Sequence, residues 1–234
     1  MLGRSQHEFT EILQRARWRR FLNRRLGREK ALLPYEEVKQ RIGLREQSYR
    51  GLQPVPLDRI VGSLGRSGDF DRIFRPIQRN LESKWVSVNS ASSAGVRLPP
   101  ISLYRVGDAY FVVDGHNRVS VARQQGQAFI DAEVIEVSSR VPVTADLTLD
   151  DLDSLAAYRA FLDETRLDIL RPDQSVRLSM PGDYTRLREH IRTHKYFVET
   201  ETSRELTPDE AVAHWYDYVY VAQEVFCVTE CHYR

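Results

Sequence analysis

The sequence predicts an α+β protein in which a small sheet with helices is flanked by a basic helical arm before it and an α-helical lobe after it. Three observations predict this. Two apolar runs, residues 101–106 and 109–113, are separated by Gly107-Asp108, the turn chemistry of a tight hairpin. The second run passes through Asp114-Gly115 directly into a helical pattern, and a further alternating strand follows. Outside this block, near the N-terminus and beyond Pro142, apolar residues recur at helical spacing.

Each element has its own local signal. From Glu8 to about Leu26 the residues Phe9, Ile12, Leu13 and Ala16 share one helical face, while Arg15, Arg19, Arg20, Arg24 and Arg25 lie elsewhere, and Gly27 ends the helix. A short helix follows Pro34 through Tyr35, Val38 and Ile42 and stops at Gly43. Residues 55–61 have the alternation and the prolines of a short edge strand. Residues 62–68 form a loop with three glycines, and Asp69 is placed to cap a helix carrying Phe70, Ile73, Phe74 and Ile77. Asn89 to Gly95 is a flexible linker by composition. After the hairpin, a helix through Val119 and Ala122 is closed by Gly126, and residues 130–137 alternate as a strand. Thr148 caps a helix bearing Leu152, Leu155, Ala156 and Phe161, and Pro181-Gly182 is a turn before a helix with Tyr184, Leu187 and Ile191. Thr207-Pro208-Asp209-Glu210 is a capping-box start for a helix that turns Ala211, Trp215, Tyr218 and Val219 to the core. The domains expected are therefore 1–50, 51–142 and 143–234.

Composition narrows the class of protein. With 234 residues, 41% of them hydrophobic and 10% aromatic, the chain can bury one core, or one core plus an appended lobe. No apolar run approaches the roughly 20 residues that cross a bilayer, and the first thirty lack a signal-peptide stretch, so a cytoplasmic protein is expected. The two cysteines, Cys227 and Cys231, fall within the last eight residues and cannot organise a disulfide framework. The net charge of +1 hides an asymmetry: residues 1–50 hold 13 Lys and Arg against 6 Asp and Glu, leaving 21 against 27 for the remainder. Such a basic arm is attracted to polyanions, DNA among them, or to an acidic face of its own protein.

The chemistry concentrates at Asp114-Gly115-His116-Asn117-Arg118. A strand that ends in Asp-Gly and turns at once into a helix leaves backbone N–H groups pointing outward at the positive end of the helix dipole, where phosphate is the natural guest. Gly115 lets a ligand approach the backbone, His116 and Asn117 can donate from the first turn, and Arg118 offers a planar fork to phosphate oxygens. Asp114 would repel a bare phosphate, which suits it to orienting His116 or Arg118, or to holding a magnesium ion.

In their order, residues 53–137 resemble the ParB/sulfiredoxin superfamily: first strand, loop and helix, Leu98-Pro99-Pro100-Ile101, hairpin, motif, helix, strand. Gly115-His116-Asn117-Arg118 sits where ParB proteins have Gly-Glu-Arg-Arg and sulfiredoxins Gly-Cys-His-Arg, and the Asp-Gly-His-Thr-Arg of the free serine kinases is the form most similar to it. The resemblance implies a small mixed sheet and a nucleotide, ATP, ADP or CTP with magnesium, whose phosphates are contacted by Gly115, His116, Asn117 and Arg118. Arg66 resembles the loop arginine of ParB proteins and would reach the same phosphates. Departures limit the comparison. His116 takes the place of the sulfiredoxin cysteine, which excludes sulfinic acid repair, and Ser120 stands where ParB proteins carry another arginine. No Glu-Asn-x-x-Arg stretch or helix-turn-helix follows Val137, which argues against a protein that reads centromere DNA. The leading expectation is a nucleotide-dependent regulator that associates with DNA through Arg15, Arg19, Arg20, Arg24 and Arg25 and is compatible with a homodimer. The rival is a small-molecule phosphotransferase with Asp114 and magnesium aiding transfer and Asp69 or Asp71 as base. A non-catalytic interaction scaffold is the third reading.

Two other clusters carry weaker signals. Cys227, Cys231 and His232, with His214, have the spacing of a metal site, but incidental thiols explain them better. His190 and His194 share a helical face without the glutamate of a zincin and read as hydrogen-bonding residues.

Overall fold

The computed structural model describes residues 2–25, 32–174, 176–178 and 180–222. Its contacts divide the chain into two compact units, Met1–Leu152 and Asp153–Arg234.

The first unit begins with α1 (Leu2–Arg25), then β1 (Leu33–Pro34), α2 (Tyr35–Ile42), β2 (Gln47–Pro56), β3 (Ile60–Ser63) and α3 (Glu82–Ser93). The hairpin β4 (Ile101–Val106) and β5 (Ala109–Asp114) comes next, then α4 (His116–Gln124) and β6 (Phe129–Val137). The six strands make one mixed sheet in the order β1-β3-β5-β4-β6-β2. Within it β1–β3, β3–β5 and β4–β6 are parallel, and β4–β5 and β2–β6 are antiparallel. The fold is thus α+β, as the sequence predicts. The central strands are covered on both faces, as continuous apolar strands require: all four residues of β3 and the first four of β5 are buried.

One face of the sheet packs on α1, α3 and α4, with Phe9, Ile12, Leu13, Trp85, Val86, Val119 and Val121 in a single core with Leu103, Val112 and Val134. α1 is part of this core: Phe9 is fully buried with its ring centroid 5.7 Å from that of Trp85. Phe111 points to the other face, where it meets Tyr35 at 5.6 Å, and Tyr35 stacks on Tyr104 at 4.7 Å. Gly62, on β3, makes the close packing of β3 between β1 and β5 possible. A Cβ there would collide with the Phe111 ring and stand 2.6 Å from the Leu33 carbonyl oxygen.

Four local expectations are corrected. The single strand expected over 55–61 is two strands in non-adjacent positions: Val55 and Pro56 end the edge strand β2, one 3₁₀ turn follows over Leu57–Arg59, and Ile60 opens the buried β3. Pro54 and Pro56 donate no backbone hydrogen bond, which suits them to an edge but not to the sheet interior. Residues 69–77 do not form a helix. Asp71 Oδ1 accepts from the backbone N–H groups of Ile73 and Arg75, Phe70 bridges to Pro76, and Phe74 has φ +61°. The aspartate side chain has taken the amides that a helix would need. The linker expected at 89–95 belongs instead to α3 as far as Ser93, because buried Asn89 donates from Nδ2 to Ser5 Oγ and Glu8 on α1. The N-terminal helix starts at Leu2, a turn and a half before the expected Glu8.

The second unit is helical: α5 (Asp151–Thr165), which begins at the boundary, α6 (Leu167–Leu170), α7 (Pro181–Thr202) and α8 (Pro208–Trp215). Tyr184 stacks on Tyr158 and packs against Phe161, and Glu164 accepts from both Arg188 and Arg192. Pro181 is the first residue of α7 and not part of a turn before it. The Thr207/Glu210 capping box is present in both directions. Tyr218, expected in the core, is 69% exposed. After Trp215 the helix continues as a π-helical turn over Tyr216–Tyr220, whose wider spacing moves Tyr218 off the buried face. No helix among the described residues is long and apolar enough to cross a membrane.

If α1 is a part of the first core, Phe9→Ala should destabilise the protein by about 3–5 kcal/mol in a urea titration followed by circular dichroism. A helix attached only at the surface would give a change below about 0.5 kcal/mol.

Candidate functional site

The site is built where β5 becomes α4. Gly115 stands between them with φ +97° and ψ 21°, a left-handed conformation that glycine adopts without strain. Ile101 reinforces the requirement, because a Cβ at Gly115 would lie 2.8 Å from the Ile101 Cβ and closer still to its Cγ2. No side chain caps α4 and no acidic residue occupies its first turn, so its first amides are left without a side-chain acceptor. A cavity of about 420 Å³ opens against this turn, lined by residues 114–118, by Arg66 from the loop after β3, and by Ser83, Lys84, Ser87 and Val88 from α3. That volume falls in the range of roughly 300–1,000 Å³ common for small-ligand sites.

Of the motif side chains, His116 and Asn117 are buried, Arg118 is half-buried and Asp114 is exposed. His116 is buried, with its ring against Phe70 (centroids 6.0 Å apart) and Phe74 (6.5 Å), and its Nε2 lies 2.7 Å from Ser63 Oγ. Burial pushes its pKa down to about 4, and Arg66 adds to the effect against the opposing pull of Asp114 and Asp69. It is therefore neutral at pH 7, with one ring nitrogen committed inside the protein. Asn117 is 9% exposed, and its Oδ1 has no hydrogen-bond partner. A buried acceptor left in this state costs about 1–3 kcal/mol unless a ligand or water satisfies it.

Arg118 is engaged elsewhere than expected. Its Nη1 donates to the carbonyl oxygens of Pro99 (2.6 Å) and Pro100 (2.7 Å), and its Nη2 donates to Asp114. The physical reason is local: a carboxylate one helical turn back and two carbonyls of the segment before β4 compete for the guanidinium. Asp114 is 73% exposed at its side chain and orients Arg118, one of the roles expected for it. Arg66 lines the cavity, paired with Asp69 through Nε and Nη2 at 2.8 Å and lying over the Phe70 ring. Asp71 is committed to the turn it organises, with Oδ2 accepting from the Arg75 guanidinium.

Lys84, Ser83 and Ser87 were missed in the sequence. All three are exposed on α3 and line the cavity, and Lys84 has no ion pair among the described residues. The available signal was the apolar set Leu81, Trp85 and Val88 at helical spacing, which the neighbouring Ser- and Ala-rich stretch obscured.

Beyond the cavity, Arg15 and Arg19 are exposed on α1, with Arg15 3.5 Å from Glu11. The side chains of Arg20, Arg24 and Arg25 lie outside what the structure describes, as do Cys227, Cys231 and His232. His194 Nε2 is 2.8 Å from His214 Nδ1, and Trp215 Nε1 donates to His190 Nδ1, so these histidines are hydrogen-bonding residues within the second unit. Among the described residues no group of three or more His, Cys, Asp or Glu could hold a metal ion.

Fold and site together define an α+β protein with a mixed sheet and an anion-compatible strand-to-helix corner. No protein-family model matches the chain, and no curated protein matches it. Among solved structures it is similar to sulfiredoxin from Arabidopsis thaliana, with 15% identity and a TM-score of 0.29 over 37% of this chain and 86% of that one. At that level the likeness assigns no residue a role, and the reading of the site rests on its own geometry.

The neutral state of His116 has a consequence for stability. Between about pH 6.5, where an unfolded histidine titrates, and about pH 4, the unfolded chain binds a proton that the folded chain refuses, so folding weakens as the pH falls. The stability difference between wild type and His116→Gln should hold constant above pH 7 and then fall by roughly 1.4 kcal/mol per pH unit through that window. A difference independent of pH would show that His116 titrates normally.

Proposed function

We propose that this chain is a nucleotide-binding protein, with the phosphates of ATP, ADP or CTP held in the cavity at the start of α4, and that it acts as a nucleotide-dependent regulator associated with DNA. The observation that carries the reading is the start of α4, which no side chain caps and which borders a cavity lined also by Lys84, Ser83 and Ser87 of α3. A ligand filling that cavity must bring anionic oxygens to the helix amides and Lys84 and hydrogen-bonding groups to the serine hydroxyls. A nucleotide supplies both. Lys84 adds a mobile positive charge from the facing helix, and Ser83 and Ser87 add hydroxyls.

Magnesium fits this donor set as an ion carried by the phosphates. Asp114 is the one carboxylate among the residues lining the cavity, and magnesium commonly takes one or two carboxylates with phosphate oxygens and water. When bound it would neutralise phosphate charge. Binding is favoured over phosphoryl transfer because the carboxylates expected as base are occupied: Asp69 pairs with Arg66, and both oxygens of Asp71 accept hydrogen bonds within its turn. Support for DNA association is the basic excess of residues 1–50 and the exposure of Arg15 and Arg19 on α1.

Calorimetry of the full chain against ATP, ADP and CTP with magnesium should detect binding of at least one, and binding of none would overturn the reading. Lys84→Ala should weaken the bound nucleotide about tenfold or more, since a charge-assisted contact contributes roughly 1.5–3 kcal/mol. DNA retention should fall with added salt and with the double substitution Arg15→Ala and Arg19→Ala, and a salt-independent result would remove DNA from the account.

A further inference from the structure

We infer that Ser63 is a positioning residue that holds His116 as the tautomer with its proton on Nδ1, so that a neutral imidazole N–H donates to the anionic oxygens of a ligand in the cavity. The ligand itself rests on the nucleotide reading given above; the tautomer does not.

The protons around one hydroxyl decide the tautomer. Ser63 is fully buried at the end of β3, and its Oγ has one hydrogen to give and two lone pairs. The backbone N–H of Arg66 donates to Oγ at 3.2 Å and takes one lone pair. The hydroxyl hydrogen then has two acceptors within reach: His116 Nε2 at 2.7 Å and the carbonyl of Leu64 at 3.4 Å. The first distance is the mode for a hydrogen bond from a hydroxyl and the second lies beyond the usual range, so the proton points at Nε2. A nitrogen that accepts carries no proton, and a neutral imidazole has only one, which must sit on Nδ1.

Nδ1 is left for the cavity. It makes no hydrogen bond to a described residue, it is not among the buried atoms sealed without a partner, and His116 lines the cavity wall. Phe70 and Phe74 pack against the ring, with centroids 6.0 and 6.5 Å away. Burial keeps the ring uncharged, with Arg66 reinforcing that and Asp114 and Asp69 opposing it, so the donor is a neutral N–H across the neutral pH range. The same Oγ also accepts from the backbone N–H of Arg66, which ties the loop that carries the Arg66–Asp69 pair and the imidazole donor to one hydroxyl.

The test is long-range ¹⁵N–¹H correlation of histidine side chains in the full-length chain, with the His116 signals assigned by their loss in His116→Gln. Wild type should show a protonated Nδ1 and a bare Nε2. Ser63→Ala should move the proton toward Nε2 and weaken ATP about tenfold, the equivalent of one net hydrogen bond. Ser63→Thr, which keeps the hydroxyl, should retain both properties. A protonated Nε2 in wild type, or an unchanged His116 spectrum in Ser63→Ala, overturns the inference. Failure of wild type to bind ATP while Nδ1 remains protonated would support the tautomer lock and count only against the nucleotide.

Discussion

At Gly115 the backbone must leave a strand buried on both faces and enter a helix within a single residue, in a space that Ile101 closes to any side chain. That constraint organises the rest of the site. The left-handed turn aims the first amides of α4 away from the sheet, drops His116 into the core against Phe70 and Phe74, and leaves Asn117 with an unmet acceptor. The cavity exists because α3, held to the sheet by Trp85 and to α1 by Asn89, stands across from this turn.

The electrostatics of the site are made from dipoles more than from free charges. Arg66 and Arg118 both neighbour the cavity, but each is neutralised by its own aspartate, and Arg118 spends its remaining reach on the Pro99 and Pro100 carbonyls. His116 is neutral. The cavity is faced by a helix N-terminus, an imidazole, a carboxamide, two serine hydroxyls and Lys84. Such a set suits a ligand that carries both acceptors and donors, and it would hold a simple anion poorly. The arginine–aspartate pairs then act as braces: Arg118 ties the segment before β4 to α4, and Arg66 ties the loop after β3 to Asp69.

Much of this was legible in the sequence because it is local. The hairpin at Gly107-Asp108, the corner at Asp114-Gly115, the closing Gly126 and the Thr207/Glu210 capping box are decided by residues within a few positions of one another. The features that escaped are decided across the chain. Asn89 looks like linker chemistry and is instead a buried hydrogen bond to α1, so α3 and with it Lys84 were lost from view. Asp69 and Phe70 look like a capped helix, yet the Asp71 side chain diverts the amides into a turn. Arg118 was expected to serve a ligand, since its Pro99 and Pro100 partners lie 19 and 18 residues away and no local pattern announces them.

The most direct measurement is an amide-resolved NMR titration of the full-length chain with magnesium and ATP, ADP or CTP. The account predicts concentration-dependent shifts at residues 115–118 at the start of α4 and at 83–88 on α3, with the second unit unaffected. Shifts that avoid both segments, or spectra that do not respond to any of the three nucleotides, would contradict it.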